Sequence, residues 1–304
     1  MRSFFVLWPY FWHFRVGNSK KFKASSLKSC PNCQTPLPDE ARFCIQCGAP
    51  QHEQKAEDAI FTVNWDDEVA TQISAHFFAA LQQKVRTELG KSEHLPFSER
   101  VYESGFRDIV ERRAKQVGEK LQAQLNTDAI SVRTANKKVG KLLEELTDFF
   151  IIRYCQDLLD TPLPESILKY QHLDPQEIDL FQMVLDYLDF AHESEVVYTD
   201  FLTMPVNKLK NAGRSFLFPE KSEKILLICD QSLFGSCKEG FALTEKAIYW
   251  KAHLQKARQV AYDQLKGLER EKEWININGY FFNVNPSLNQ KMLKLLKRLS
   301  AWSA

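Results

Sequence analysis

The stretch EKILLICDQSLFGSCKEGFALTEKAIYWK, residues 223–251, marks the point at which this 304-residue chain changes its hydrophobic period. Upstream of it, apolar residues recur at steps of three and four, whereas here they form short runs rich in β-branched side chains. EKILLICD is typical of one strand, and GFALTEKAIYWK is typical of two short strands joined at Glu245-Lys246. The sequence therefore predicts antiparallel strands in its C-terminal third.

A hairpin signal and a helical segment follow this stretch. WININGYFFNV, residues 274–284, contains Asn278-Gly279, which favours a type I′ turn because both turn positions need positive φ. The last segment, 285–300, predicts a helix with an apolar seam and basic sides. The seam is Leu293, Leu296 and Leu299, and the basic residues are Lys291, Lys294, Lys297 and Arg298. The predicted plan for 205–302 is a curved antiparallel sheet, one opening of which is covered by the C-terminal helix.

Residues 61–195 carry helical periods instead. Gly90 is predicted to end the first helix, and Ser98 is predicted to cap the second. Asp174 and Pro175 are typical of an N-cap and a first helical position, so a fourth helix is expected to begin there. Short connections between four helices predict an all-α bundle. The predicted helices lie at 66–89, 98–125, 136–160 and from 174 onward. The fold class is therefore α+β with several domains.

Four of the seven cysteines lie in CPNCQTPLPDEARFCIQCGAP, residues 30–50, as two C-x2-C pairs separated by ten residues. Four thiolates complete the tetrahedral coordination of Zn²⁺, which leaves no position for an activated water. The spacing therefore predicts one structural zinc ion. Iron bound as in rubredoxin, or an iron–sulfur site, is the open alternative. The predicted ligands are Cys30, Cys33, Cys44 and Cys47.

This cysteine segment resembles the short zinc ribbons found near the N-termini of many bacterial proteins, with the pattern CPxCG…ARFCxxCG. It departs from that pattern at Gln34, where glycine is usual. The resemblance implies a structural metal and contact with a protein or a nucleic acid. Arg42 is the only base between the first cysteine and Gln51, which favours a protein partner because nucleic-acid affinity depends on phosphate neutralisation. The ribbon is predicted at 29–50 and a polar linker at 51–60.

The residues before the ribbon, 1–28, contain six bases and no acids, and they include the aromatic run SFFVLWPYFWHF. This run is too short to span a bilayer. One interpretation is a disordered leader. The other is an interfacial anchor, because aromatic side chains next to Lys and Arg suit the surface of an anionic membrane.

Charge is distributed unevenly over the rest of the chain. Residues 144–200 hold fourteen acidic and two basic side chains, whereas 201–304 hold nine acidic and seventeen basic side chains. A solvated acidic helix face is the favoured interpretation of the first segment. Docking of the acidic segment on the basic one is the alternative.

Residues 204–251, MPVNKLKNAGRSFLFPEKSEKILLICDQSLFGSCKEGFALTEKAIYWK, resemble bacterial pleckstrin-homology-like (PH-like) modules related to GRAM domains. The departure is Ala247, where such modules commonly have glycine. The resemblance covers about 205–300 and implies a platform that binds lipids or proteins. Basic side chains near the strands are a candidate patch for anions or lipids, although solvated loop charge explains them as well. The candidates are Lys208, Lys210, Arg214, Lys251, Lys256 and Arg258.

Motifs of common enzyme classes, namely GxSxG, the P-loop, GxGxxG and HExxH, do not occur in the sequence. His192 with Asp189 or Glu195 would form a carboxylate–histidine pair on a helix, but a solvated face is the favoured interpretation. Cys155 is expected to be an inert core thiol, and the cysteine usage favours a reducing compartment.

We therefore expect a cytoplasmic, non-enzymatic adaptor or regulatory protein that binds a protein partner, with peripheral binding to an anionic membrane as a further option. The alternative hypothesis is a nucleic-acid-associated factor that uses the ribbon and the basic leader. A third hypothesis, an enzyme in the helical region, requires a deep pocket that gathers the acidic residues.

Overall fold

A computed structural model describes residues 27–29, 35–38 and 61–303. The chain divides into two compact units, Met1–Gln51 and His52–Ala304. In the first unit, strand β1 (Leu27–Ser29) pairs with strand β2 (Pro36–Pro38) in an antiparallel ladder. Leu27 and Lys28, which the sequence places at the end of the leader, thus belong to a strand. The rest of the leader, the four ribbon cysteines and the predicted linker 51–60 lie outside the described residues.

The second unit begins with four helices that surround an aromatic core. The rings of Phe77, Phe106 and Phe150 are all buried, with centroid separations between 5.1 and 6.3 Å. Aromatic pairs at such separations add to the stability that their burial provides. The prediction of helices in this region is confirmed. They are α1 (Val69–Thr87), α2 (Leu95–Glu103), α3 (Phe106–Asn126) and α4 (Val132–Tyr154).

Two details of the predicted second helix were wrong. The single helix expected from Ser98 to about 125 is broken at Gly105, whose φ of +70° is incompatible with a continuing right-handed helix. Ser98 also does not cap a helix, because its backbone N–H already donates to His94 O inside α2. Pro96 in the first turn favours the earlier start, since proline fits where no N–H is needed.

Short 3-10 turns and one further helix connect this core to the sheets. Helix α5 (Leu180–Leu188) is capped by Asp179, whose Oδ1 accepts from the N–H of Gln182. The start predicted at Asp174 exists only as a 3-10 turn over Pro175–Glu177. The remaining turns are Gln156–Leu158, Glu165–Gln171, Phe190–His192 and Tyr262–Gln264.

The prediction of antiparallel strands followed by a closing helix is confirmed. A five-stranded sheet has the order β3-β4-β5-β6-β7, and a three-stranded sheet has the order β10-β9-β8. Asn278 and Gly279 have φ values of +51° and +79° in the turn between β9 and β10, as a type I′ turn requires. The strands are β3 (Val196–Tyr198), β4 (Ile225–Asp230), β5 (Gly240–Thr244), β6 (Ala247–Lys251), β7 (Arg258–Ala261), β8 (Leu268–Glu271), β9 (Trp274–Ile277) and β10 (Tyr280–Phe282). The closing helix is α7 (Pro286–Ser303).

Both faces of the larger sheet are covered. Side chains alternate along β5, so that Phe241 joins the core that includes α7 while Ala242 joins a second core. Helix α6 (Val206–Ser215) covers this second face through Ala212. Burial on both faces explains why β4 is an almost continuous apolar run. Helix α6 was not predicted, because its sequence VNKLKNAGRS is mostly polar.

Helix α7 is attached by both apolar and ionic contacts. The predicted seam of Leu293, Leu296 and Leu299 is buried, as expected. Lys291 and Lys294, two of the basic residues predicted on its sides, are only 3% and 5% exposed. Their partners are acidic residues of the preceding elements, described below. At these two lysines the acidic segment 144–200 docks on the basic segment 201–304. The favoured interpretation of the acidic segment as a solvated helix face was wrong at these positions.

Candidate functional site

The two strands of the first unit come directly before and shortly after the first C-x2-C pair in the sequence. Ser29 and Pro36 are partners in the β1–β2 ladder, so the chain reverses its direction between them. Cys30 and Cys33 belong to this connecting segment. A C-x2-C pair needs such a reversal for both thiolates to reach one ion, and four thiolates are a donor set that structural zinc prefers. In its donor set of four cysteines the chain fits a bound Zn²⁺, which would crosslink the ribbon and stabilise its fold.

The three other cysteines are buried and unpaired. Burial raises the pKa of the Cys155 thiol to about 12, and burial with a hydrogen bond to Asp230 raises the pKa of Cys237 to about 12. Burial likewise raises the pKa of Cys229. These thiols are protonated at neutral pH and are poor nucleophiles. Among residues 27–29, 35–38 and 61–303, no group of three or more His, Cys, Asp and Glu side chains is placed to hold a metal ion.

The predicted basic patch is divided between the two faces of the larger sheet. Lys251 Nζ donates to Ser215 Oγ at 3.0 Å, which places it against the end of α6, next to Arg214. Arg258 is paired with Trp250 across β6 and β7, and therefore shares the opposite face with that residue. The guanidinium of Arg258 lies 4.1 Å from the ring centroid of Tyr280.

The remaining patch residues lie around α6 and the β6–β7 loop. Lys208 Nζ donates to the hydroxyl of Tyr198 at 2.6 Å, and this hydrogen bond raises the pKa of the lysine. Lys210 and Lys256 are exposed. Lys238, which was not predicted, joins this side of the sheet because its carbonyl accepts from Ser215 Oγ at 2.6 Å.

Sequence reasoning missed an apolar feature of the same surface. Leu233 and Phe234, in the loop between β4 and β5, are 84% and 91% exposed. Leu254, in the loop between β6 and β7, is 88% exposed. The two loops leave the same end of the antiparallel sheet, and His253 Nδ1 lies 2.9 Å from Glu239 Oε1 between them. The sequence does indicate this feature, because Leu233 and Phe234 are two apolar residues within the otherwise polar turn segment QSLFGS, residues 231–236.

We call this end of the sheet the loop surface, defined by Leu233, Phe234, Leu254 and Lys208. Lys208 belongs to it because its Nζ lies 3.7 Å from the position that a Cβ on Gly235 would occupy. The cation is thus adjacent to the loop that carries Leu233 and Phe234. The loop surface combines exposed apolar side chains with the ammonium of Lys208, and Oδ2 of Asp230 lies 3.8 Å from the same Cβ position.

The acidic residues near His192 attach helix α7. His192 Nδ1 lies 2.9 Å from Asp189 Oδ2, so the carboxylate–histidine pair exists. Asp189 also lies 3.5 Å from Lys291 Nζ, and Glu193 lies 2.7 Å from the same nitrogen. Glu195 accepts from Asn285 Nδ2 at 2.7 Å. His192 itself is 78% exposed, as expected of a solvated face, whereas Asp189, Glu193 and Glu195 hold the start of α7, where that expectation was wrong.

A pocket in the helical region gathers few of the acidic residues. Glu88 and Glu144 line it, and both are paired with lysines. The third hypothesis, an enzyme in this region, gains no support from that arrangement. None of the helices in the described part of the chain is long and apolar enough to cross a membrane.

A family model for a zinc-ribbon domain matches residues 29–51, a segment that contains all four predicted ligands. No significant match was found among curated proteins or among solved structures. The N-terminal part of the chain thus carries a zinc-ribbon domain, as the cysteine spacing predicted.

Proposed function

We propose that this protein is a non-enzymatic, cytoplasmic adaptor that binds a protein partner through its zinc ribbon and an anionic membrane through the loop surface. The observation that carries the membrane part is the near-complete exposure of Leu233 and Phe234 next to Lys208. Exposed apolar side chains at a loop tip are unfavourable in water and favourable in the interfacial region of a bilayer. A neighbouring lysine adds attraction to anionic lipids.

The arrangement of the C-terminal strands supports a PH-like platform over 205–302. Strands β4 to β7 form an antiparallel meander, β8 to β10 form a second one, and α7 follows them. This order is similar to that of the PH-like modules that the sequence resembles. The loop surface lies at one end of the first meander, so a membrane could contact it without covering either face of the sheet.

The ribbon supports the adaptor part of the proposal. Its four cysteines would saturate one zinc ion, so the metal would stabilise the fold and would not take part in a reaction. The ribbon has one base, Arg42, next to Asp39 and Glu40, and this balance suits a protein surface better than a phosphate backbone.

The test is sedimentation of the full-length protein with vesicles of phosphatidylcholine alone and of phosphatidylcholine with phosphatidylserine. We expect binding to the anionic vesicles, and loss of most of it in Leu233→Ser/Phe234→Ser. The matched control is Leu95→Ser/Leu173→Ser, which removes two exposed leucines of the helical region, 61% and 40% exposed. Equal binding of both double variants to the anionic vesicles would overturn the membrane part of the proposal.

A further inference from the structure

A groove with a volume of about 840 Å³ lies between helices α1 and α4. Gln83 and Thr87 line it from α1, and Arg133, Lys137 and Gly140 line it from α4. The three α4 residues are four and three positions apart, and such residues share one face of a helix. A volume of this size is within the range of pockets that hold small organic molecules.

The charges deep in the groove are already compensated. Lys297 Nζ, from helix α7, lies 2.5 Å from Glu88 Oε1. Lys84 Nζ lies 2.7 Å from Glu144 Oε1. These pairs leave no net charge at this end of the groove, so they do not attract a ligand of either sign.

Arg133 and Lys137 differ from these lysines, because neither forms an ion pair with any described residue. Both side chains are exposed, and both belong to the wall of the groove. Within the described part of the chain, the groove therefore has two positive charges without an ion-pair partner, on one helix face and four residues apart.

The sequence of α4 makes this arrangement unfavourable without a ligand. Its first ten residues, 132–141, contain four cations and no acid. Cations near the start of a helix oppose the helix dipole, and like charges four residues apart repel each other. An anion bound between Arg133 and Lys137 would remove both penalties.

Gly140 keeps the groove open on the α4 side. A Cβ at this position would meet no atom within 4 Å, so packing does not require glycine. Glycine inside a helix makes the helix less stable than alanine would, because glycine loses more conformational freedom on folding. A glycine that packing does not explain, in the wall of a groove, is consistent with space reserved for a bound molecule.

We propose that this groove binds a small organic phosphate monoester, with Arg133 and Lys137 on the phosphate and the organic part next to Gly140. A phosphate monoester carries nearly two negative charges at neutral pH, which matches the positive charges of Arg133 and Lys137. The planar guanidinium of Arg133 suits two phosphate oxygens at once, and Lys137 adds a point charge. This site goes beyond the proposed adaptor function and does not depend on the loop surface.

The test is calorimetric titration of the full-length protein with three monoesters that differ in their organic part: adenosine 5′-monophosphate, glucose 6-phosphate and glycerol 3-phosphate. Adenosine, glucose and glycerol are the uncharged counterparts, and inorganic phosphate measures binding of the anion alone. We expect at least one monoester to bind more tightly than inorganic phosphate and than its own counterpart.

Three variants locate the binding. Arg133→Ala/Lys137→Ala should lower the affinity for the monoester by at least about tenfold, because two charge-assisted contacts are lost. Lys138→Ala/Lys141→Ala removes the same charge from the same helix outside the groove, and should leave the affinity within about threefold. Gly140→Leu keeps every charge but fills the groove, and should also weaken binding. Circular dichroism melting checks that each variant is folded.

Several outcomes would overturn the proposal. One is that no monoester binds at millimolar concentration, and another is that inorganic phosphate binds as tightly as every monoester. Equal affinities in the two double variants would place the anion elsewhere, and unchanged binding by Gly140→Leu would exclude the groove. Vesicle binding by Arg133→Ala/Lys137→Ala should equal that of the wild type, so failure here is distinct from failure of the membrane proposal.

Discussion

Nζ of Lys294, on the C-terminal helix, lies 2.7 Å from Oε2 of Glu88 at the end of α1. The same ammonium contacts Asp148 of α4, and the side chains of Lys294 and Glu88 are 5% and 4% exposed. Burial by itself would raise the pKa of Glu88, but Lys294 and Lys297 outweigh it and hold the pKa well below its usual range. Three helices that are distant in sequence are thus joined at a buried ionic contact.

Replacement of Lys294 by methionine should destabilise the protein strongly. Glu88 and Asp148 would remain buried with less positive charge beside them, and the loss of one partner of a buried pair costs about 3–5 kcal/mol. We expect a decrease of about 3 kcal/mol in the free energy of unfolding, measured in urea. Lys138→Met, at an exposed position of α4, is the control. A difference of less than about 0.5 kcal/mol between the two variants would contradict the prediction.

Stability should fall in acid because of the same contact. The pKa values of Glu88 and Asp148 are lowered in the folded chain: burial raises them, but Lys294 and the other lysines outweigh burial. Such carboxylates stabilise the fold above their unfolded pKa values of about 4, and this stabilisation is lost as the pH falls through the lower folded values.

The measurement is the urea midpoint between neutral pH and pH ~3. The wild type should lose stability below pH ~5, and Asp148→Asn, which cannot ionise there, should show a shallower decline. Parallel curves for the two proteins would show that Asp148 does not contribute to the acid sensitivity.

Two glycines should respond in opposite directions to alanine. Gly240 has a φ of +136°, and a Cβ would lie 2.0 Å from the carbonyl oxygen of Cys229, so Gly240→Ala should destabilise the sheet by more than about 2 kcal/mol. Gly140→Ala meets no atom and should stabilise α4 by about 1 kcal/mol, because alanine has the higher helix propensity. Thermal and urea unfolding of both variants test this, and equal effects would contradict it.

The wild-type protein should contain one zinc ion per chain, and Cys30→Ser should lose it, because three thiolates bind zinc more weakly than four. Elemental analysis for zinc and iron measures this, and iron in place of zinc would favour the rubredoxin-like alternative. Cys155→Ala, outside the ribbon, should retain the metal. Unchanged metal content in Cys30→Ser would refute the assignment.

The alternative role as a nucleic-acid-associated factor makes a different prediction. Binding to DNA or RNA through the basic leader would fall steeply as the salt concentration rises, because counterions are released from the phosphates. We expect the full-length protein to show no such retention on DNA or RNA at low salt. Retention that is lost with added salt would replace the adaptor proposal with the nucleic-acid one.

Local signals predicted several elements correctly. The C-x2-C pairs predicted a zinc ribbon, and Asn278-Gly279 predicted a hairpin turn, because in each case neighbouring residues suffice. The strands at 225–251 were evident for the same reason, since short apolar runs rich in β-branched side chains are a local property. Helix α6 was not evident, because its few apolar residues do not form a helical pattern that can be recognised in the sequence. The helix is stabilised by packing on the sheet that it covers.

The sequence by itself determined that the N-terminal part of the second unit is helical, that strands and a final helix follow, and where four thiols can share a metal ion. Only the tertiary structure decided which charged side chains form ion pairs. Lys294 and Asp148 are 146 positions apart, and nothing near either residue shows that the other will neutralise it. The same holds for Arg133 and Lys137, which differ from Lys294 because no carboxylate of residues 61–303 forms an ion pair with either of them. Coulomb energy depends on separation in space, whereas hydrophobic periodicity is a property of neighbouring residues.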